Sequence, residues 1–158
     1  DGGAMTVVNE AAAFTKAVLG AGPVSKASGT LQHGVNVDLF TVAGGEVLIT
    51  GLWLKCTTTM AGANTLAVSN VTTTGDDPVI VTATDLGTTD TTAGTVVGLT
   101  RGTSAASAFL KGGTVDLNAV VTTGKVTLVP TGSGTIDGAV TVYCTWVPLT
   151  SGATLVAA

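Results

Sequence analysis

The chain has 158 residues, of which 45% are hydrophobic and 10% are charged, and its formal net charge is −4. This length allows one domain with a core of its own, and no apolar run approaches the ~20 residues that a membrane-spanning helix needs. A phosphate-binding surface needs clustered Lys and Arg, but the six basic residues are scattered singly. We therefore expect neither a nucleic acid nor a membrane as a partner.

The first part of the chain, residues 1–34, predicts a short N-terminal arm followed by a linker. Asn9 is a favourable cap for a helix over residues 10–19, and the glycines at 20 and 22 end it. So short a helix needs a surface on which to pack. The sequence leaves open whether that surface is its own domain or a neighbouring subunit. Gly, Ser and Pro break any periodicity over residues 20–34, which predicts the linker.

From Val35 onward, short alternating runs rich in β-branched residues predict strands separated by turns. The runs on either side of residues 43–45 predict a hairpin, and Gly51 predicts a bulge within one long strand over 46–56. Further strands are predicted at 65–69, 79–84, 95–100, 114–119, 125–129 and 135–147, with a helical turn within 101–113. Residues 35–158 are therefore predicted to form an all-β domain, an antiparallel β-sandwich of about eight strands with jelly-roll-like topology and an uncharged C-terminal tail.

The chain is poorly equipped for catalysis, since it has one histidine and few charged residues. That residue, His33, lies in the predicted linker, where an exposed loop position is expected rather than a Ser-His-Asp triad. Asp76, Asp77, Asp85 and Asp90 form one local acidic group. Their Gly- and Pro-rich surroundings favour turn hydrogen bonds over a glycosidase or calcium site. We expect no enzymatic activity, no metal and no cofactor.

Two cysteines and two tryptophans lie in predicted strands. Cys56 and Cys144 could form one disulfide or remain two buried thiols. We expect free thiols, because a domain of this size does not need a bridge. Strand alternation places Trp146 in the core and turns Trp53 away from the apolar face of its strand, so Trp53 is a candidate interface residue.

Three runs of the sequence resemble small virion proteins of tailed bacteriophages, in particular head decoration or cement proteins. The runs are DLFTVAGGEVLITGL at 38–52, GTIDGAVTVY at 134–143 and WVPLTSGATLV at 146–156. The resemblance implies a β-sandwich on the outer capsid surface of the virion, assembled in the host cytoplasm. It also implies a homo-oligomer, most often a trimer, that clamps adjacent subunits of the major capsid protein. The family offers no catalytic motif to carry over.

Apolar residues of both terminal segments, together with Trp53, are the candidate contacts with the capsid or with neighbouring subunits. They are Met5, Val7, Val8, Phe14, Val18, Trp53, Leu155 and Val156. Uncharged contacts suit a repeated interface because few charges have to lose their hydration.

The competing prediction is a surface or secreted β-sandwich adhesin or carbohydrate-binding module. A Cys56–Cys144 disulfide, calcium dependence or sugar-stacking aromatics in the loops would favour it. The predicted loops contain no Trp or Tyr, which places this class second. Asn70 begins an acceptor sequence for N-glycosylation, which matters only in a secretory pathway.

Overall fold

The computed structural model describes residues 21–100, 107–132 and 137–158, and these residues form strands and connections without a helix. No helix in these ranges is long and apolar enough to cross a membrane. The predicted arm helix over 10–19 lies outside the described residues. The strands are β1 (Ala21–Thr30), β2 (Val37–Ala43), β3 (Val47–Thr58), β4 (Asn64–Thr72), β5 (Val79–Asp85), β6 (Val96–Leu99), β7 (Ser107–Lys111), β8 (Asp116–Val121), β9 (Gly124–Gly132), β10 (Ala139–Pro148) and β11 (Thr154–Ala157). The predicted all-β fold is confirmed.

The strands form one nearly closed sheet in the order β1-β10-β3-β6-β7-β5-β4-β9-β2-β11, and β8 pairs with β3 outside this path. All pairs are antiparallel except β5 with β7. We call β1, β10, β3, β6 and β8 sheet A, and β5, β4, β9, β2 and β11 sheet B. Strand β7 joins the two sheets on one side. On the other side the Lys26 ammonium of β1 donates to the carbonyl of Ala158, just after β11. The jelly-roll order stays a prediction.

One apolar core lies between the two sheets, because the long strands alternate inward and outward side chains. Leu52 and Leu54 of sheet A and Leu66 and Leu128 of sheet B belong to this core and are fully buried. Burying each such leucine contributes roughly 1.5–3 kcal/mol. Trp146 is 7% exposed and packs in the same core, as predicted.

The predicted bulge at Gly51 is confirmed. The pairing of β3 shifts register between Ile49 and Gly51 against β8, and between Thr145 and Trp146 against β10. A Cβ atom on Gly51 would lie 2.7 Å from the Thr145 hydroxyl oxygen. The extra residue lets both Ile49 and Leu52 point into the core, which simple alternation would not allow.

The hairpin predicted around residues 43–45 is wrong. Strand β2 pairs with β9 and β11 in sheet B, whereas β3 pairs with β10, β6 and β8 in sheet A. The connection therefore crosses from one sheet to the other. Gly44 and Gly45 make the crossing with φ of 76° and 132°, and the Glu46 N–H donates to the Thr150 hydroxyl oxygen at 3.1 Å.

Three strands occupy segments for which the sequence predicted something else. The predicted linker contains β1, the predicted helical turn contains β7, and the predicted C-terminal tail contains β11. Strand β1 thus adds residues from the predicted linker to the sheet, through its pairing with β10. Strand β1 escaped prediction because it lies at one end of the sheet, where Pro and Gly are tolerated.

Asn70 ties sheet B to the connection between β8 and β9. It is 1% exposed, its Nδ2 donates to the carbonyls of Thr122 and Lys125 at 3.3 Å each, and its Oδ1 accepts from the Thr122 N–H at 3.0 Å. An amide that is buried and bonded in this way is not accessible for attachment of a glycan. The buried, hydrogen-bonded amide therefore argues against N-glycosylation at Asn70.

Replacing Asn70 with Ala should lower the free energy of unfolding by about 2–3 kcal/mol, because the Thr122 N–H and two carbonyls would lose their buried partner. Urea denaturation followed by circular dichroism measures the change. The matched control is Asn36→Ala at an exposed turn position, which should change stability by less than about 0.5 kcal/mol. Equal losses in the two variants would contradict the assigned role of Asn70.

Candidate binding surface

The turn aspartates are used inside their own turns. Asp85 Oδ1 accepts from the N–H groups of Gly87 and Thr88 at 2.9 Å each, and Oδ2 accepts from the Thr88 hydroxyl. These bonds lower the pKa of the Asp85 carboxyl, and the bond from the Thr88 hydroxyl has the largest effect. Asp77 Oδ1 accepts from the Thr72 N–H at 2.8 Å. The predicted turn role is confirmed for these two carboxylates.

The other polar groups near Asp85 also hold the loop together. A depression of about 400 Å³ lies beside it, and the Lys111 ammonium at its wall donates to the carbonyls of Thr89 and Asp90 at 2.9 Å each. Within the described ranges, no three His, Cys, Asp or Glu side chains cluster closely enough to hold a metal ion. His33 is exposed in the turn between β1 and β2. This region therefore has a depression, but the Asp85 carboxylate and the Lys111 ammonium beside it already hydrogen-bond within the loop.

Cys56 and Cys144 are free, buried thiols, as predicted. Cys56 lies opposite Val140 on β10, and Cys144 is four positions further along that strand, about 13 Å away. A disulfide needs Cα atoms within about 7 Å, so this register excludes a bridge. Burial raises the pKa of Cys144 to about 12 and also raises the pKa of Cys56.

The outer face of sheet A carries a stacked aromatic pair. Trp53 on β3 lies directly opposite Tyr143 on β10, with ring centroids 5.5 Å apart and planes inclined by 6°. Both side chains are partly exposed. The neighbours Leu52 and Leu54 are buried on the inner face, so the outward orientation predicted for Trp53 is confirmed. Such pairs contribute about 0.5–1.5 kcal/mol beyond their buried area.

Toward the other end of the same face, three aliphatic residues form a row across β10, β3 and β8. Val147 lies opposite Leu48, and Leu48 lies opposite Val120. Directly opposed side chains share a face of the sheet, and Val120 is 57% exposed. We call the aromatic pair and this row the sheet A contact face, which consists of Leu48, Trp53, Val120, Tyr143 and Val147.

The outer face of sheet B combines hydroxyl-bearing side chains with exposed valines, Val71 at 37% and Val156 at 53% exposure. Thr65 lies opposite Thr131 and donates to its carbonyl at 2.5 Å. Lys125 donates to the Thr41 hydroxyl at 3.0 Å and approaches Asp38 to 3.8 Å. Polar groups on this face are largely satisfied by one another.

Charge is also distributed unevenly over the surface. The strands of sheet A contain three charged residues, Lys26, Lys55 and Asp116, and Lys26 is engaged with Ala158. Four exposed aspartates lie near the two ends of β5, at positions 76 and 77 before the strand and at positions 85 and 90 where it ends and in the connection that follows. The sheet A contact face is therefore close to neutral although the chain carries −4.

The structure places the predicted interface residues in different environments. Met5, Val7, Val8, Phe14 and Val18 lie outside the described residues. Trp53 belongs to the sheet A contact face.

Strand alternation places the two C-terminal candidates, Leu155 and Val156, on opposite faces of β11. Leu155 is 1% exposed because it points into the core opposite Val42, so its prediction as an interface residue is wrong. Val156 points outward from sheet B and is 53% exposed, and its role as a contact stays a prediction.

Sequence reasoning missed Leu48, Val120, Tyr143 and Val147 as members of one surface. Alternation within β3, β8 and β10 was a usable signal for which side chains point outward. Alternation could not show that residues 48, 120 and 147 are neighbours. That depends on which strands pair, and these strands are far apart in the sequence.

Neither thiol should react with a small disulfide reagent in the folded protein, and both should react after denaturation.

The raised pKa of Cys144 also predicts a loss of stability in alkali. The folded state keeps this proton up to about pH 12 while the unfolded chain releases it near 9.0, so the contribution is complete below 9.0 and is lost as the pH rises toward 12. Urea midpoints on either side of pH 9.0 should fall more for the natural chain than for Cys144→Ala. An equal fall would contradict the assignment.

No family model, curated protein or solved structure matches this chain.

Proposed function

We propose that this chain is a structural virion protein that binds the outer surface of a tailed-phage capsid and stabilises it, with no enzymatic role. The observation that carries the proposal is the sheet A contact face, a group of aromatic and aliphatic side chains on one face of the sheet, of which Val120 is exposed and the other four are partly exposed. Large apolar patches on a protein surface mark contacts with other macromolecules. The resemblance to phage decoration proteins supplies the identity of the partner.

The partner in this proposal is the major capsid protein. A ligand that binds the assembled lattice better than free subunits stabilises the lattice by mass action. Assembly in the reducing host cytoplasm agrees with two free, buried cysteines. The site of action is the outside of the virion shell.

The proposed assembly is a homotrimer. Met5, Val7, Val8, Phe14 and Val18 of the N-terminal segment pack on a neighbouring subunit, and Val156 is a second contact. Burying apolar side chains of this kind supplies roughly 1.5–3 kcal/mol each before the cost of ordering them is subtracted.

One observation favours the second candidate, a surface or secreted adhesin or carbohydrate-binding module. Trp53 and Tyr143 are exposed enough to meet a ligand, and aromatic rings stack on sugars. Their nearly parallel rings stack on each other, however, which leaves less ring surface for a sugar. The disulfide that would support a secreted protein is excluded by the register of β3 and β10.

The purified protein should bind expanded empty shells, made from the major capsid protein encoded in the same genome, and raise their disassembly temperature. Co-sedimentation measures binding, and light scattering during heating measures shell stability. A glycan array serves as the comparison. Binding to glycans without binding to shells would replace the proposal with the adhesin.

Deleting residues 1–20 should weaken shell binding while leaving the β-domain folded, because β1 begins at Ala21. The control is the far-ultraviolet circular dichroism and thermal midpoint of the truncated protein. Full shell occupancy by the truncated protein would show that the N-terminal segment makes no useful contact.

Size-exclusion chromatography with light scattering should give the mass of three chains across a range of concentrations. Uncharged surfaces permit such repeated contacts because little charge has to be desolvated. A monomer at every concentration would exclude a preformed trimer.

A further inference from the structure

Two connections cross between the sheets at the same end of the domain. Residues 44–46 lead from β2 in sheet B to β3 in sheet A, and residues 149–153 lead from β10 in sheet A to β11 in sheet B. Strand β3 begins at Val47 opposite Pro148, where β10 ends, and β2 pairs with β11. The two connections therefore lie side by side, and we call them the paired crossings.

Glu46 and Thr150 join the paired crossings by reciprocal hydrogen bonds. The Glu46 N–H donates to the Thr150 hydroxyl oxygen at 3.1 Å, and that hydroxyl donates to a carboxylate oxygen of Glu46. The Glu46 carbonyl accepts from the N–H groups of Leu149 and Thr150 at 3.0 and 3.1 Å. One threonine hydroxyl thus accepts from and donates to the same residue of the other crossing. We call these bonds the Glu46–Thr150 clasp.

Two glycines let the paired crossings approach each other closely. A Cβ atom on Gly45 would lie 2.5 Å from the Thr150 Cβ, and one on Gly44 would lie 2.9 Å from the Gly152 carbonyl oxygen. Both distances are shorter than a real Cβ atom tolerates. The clasp therefore forms where the sequence leaves room for it.

The clasp also fixes the turn that returns the chain to sheet B. The Thr150 carbonyl accepts from the Ala153 N–H at 3.0 Å, and Gly152 makes the turn with a φ of 82°. A Cβ atom on Gly152 would have no atom within 4 Å, so the turn is open to solvent at this point. Because Thr150 is held by Glu46, the direction in which β11 leaves the turn depends on the clasp.

Strand β11 has few other attachments. Among the described strands it pairs only with β2, through four residue pairs. It nevertheless covers part of the core, since Leu155 is 1% exposed opposite Val42 and Ala153 is 5% exposed. On its other side, the Lys26 ammonium donates to the Ala158 carbonyl. A short strand with one pairing partner opens more easily than the long central strands.

The segment that best fits the edge of β2 is β11 itself. If β11 left its place, β2 would present unpaired N–H and C=O groups, and such an edge accepts another strand. The pairs with β2 and the core positions of Ala153 and Leu155 would be matched by residues 153–157 of a second copy, which have the same sequence. Exchange of an identical element between copies keeps its contacts and changes only the connection.

We propose that the Glu46–Thr150 clasp holds β11 in its own chain, and that release of the clasp opens the edge of β2 to β11 of a second copy. The interaction surface is the β2 edge, and the partner is another molecule of this protein. The exchange joins two copies of this chain, so it stands apart from the proposed binding to a capsid shell.

The test mixes two full-length proteins that each carry one new cysteine, Ala43→Cys in one and Thr154→Cys in the other. These exposed positions lie directly opposite each other in β2 and β11, at a spacing that a disulfide accepts. Each protein carries only one of the two cysteines, so a disulfide between positions 43 and 154 forms only when β11 of one copy lies on β2 of the other. After incubation at high concentration and mild oxidation, mass spectrometry of the linked peptides measures its yield.

Thr150→Val in both proteins should raise the yield of the 43–154 disulfide by about tenfold, because the reciprocal bonds of the hydroxyl are lost. Ser151→Ala is the matched control, since it removes an exposed hydroxyl from the same connection but outside the clasp, and it should give the yield of the intact clasp. Glu46→Gln keeps an acceptor oxygen for Thr150 and should raise the yield less than Glu46→Ala does. Thermal midpoints verify that each variant is folded.

Three results would overturn the proposal. The first is an equal yield of the 43–154 disulfide with and without the Thr150 hydroxyl. The second is an abundant 43–154 disulfide while the clasp is intact, because β11 would then not be held in its own chain. The third is a rise only in disulfides between identical positions, which would indicate association by another route. Shell binding is measured separately by co-sedimentation, and its failure would affect the proposed function alone.

Discussion

The pairing of β3 with β10 is the interaction on which the rest of the structure depends. These two long strands run side by side from Val47 opposite Pro148 to Thr58 opposite Ala139. The bulge at Gly51 divides their pairing into two parts with different phases. Before the bulge in β3, Ile49 points into the core, and after the bulge, Leu52 and Leu54 point into the core. A Cβ atom on Gly51 would lie 2.7 Å from the Thr145 hydroxyl oxygen and 3.2 Å from the Val115 carbonyl oxygen, so the bulge is closely packed at this residue.

The same bulge creates the outer surface. Without the shift of one residue, Trp53 would point into the core and its neighbours would point to solvent. With the shift, Trp53 meets Tyr143 outside while Leu48 meets Val147 outside on the far side of the bulge. Core and contact face are therefore two consequences of one backbone irregularity, and a change at this glycine would affect both.

Local sequence predicted the elements better than their partners. Eight strands, the Gly51 bulge and the opposite orientations of Trp53 and Trp146 follow from alternation within single segments. The connection through Gly44 and Gly45 was predicted as a turn, but turn residues do not specify which strands will pair, and here the chain changes sheets. Strand β1 was missed because its Gly, Ser and Pro content resembles a linker. Within β11, alternation alone could have separated buried Leu155 from exposed Val156.

The contact face was harder to predict than the strands because its members come from distant parts of the chain. Leu48, Val120 and Val147 become neighbours only through pairings that no local pattern specifies. What the sequence does convey is the shortage of charge.

In the fold, several of the available charges are engaged within the molecule. Lys111 holds the loop after β5, Lys125 pairs with Asp38, and the Asp85 carboxylate closes its own turn. The sheet A contact face itself contains no charged residue. Recognition by such a surface depends on shape and apolar burial, which a rigid sheet supplies at little entropic cost.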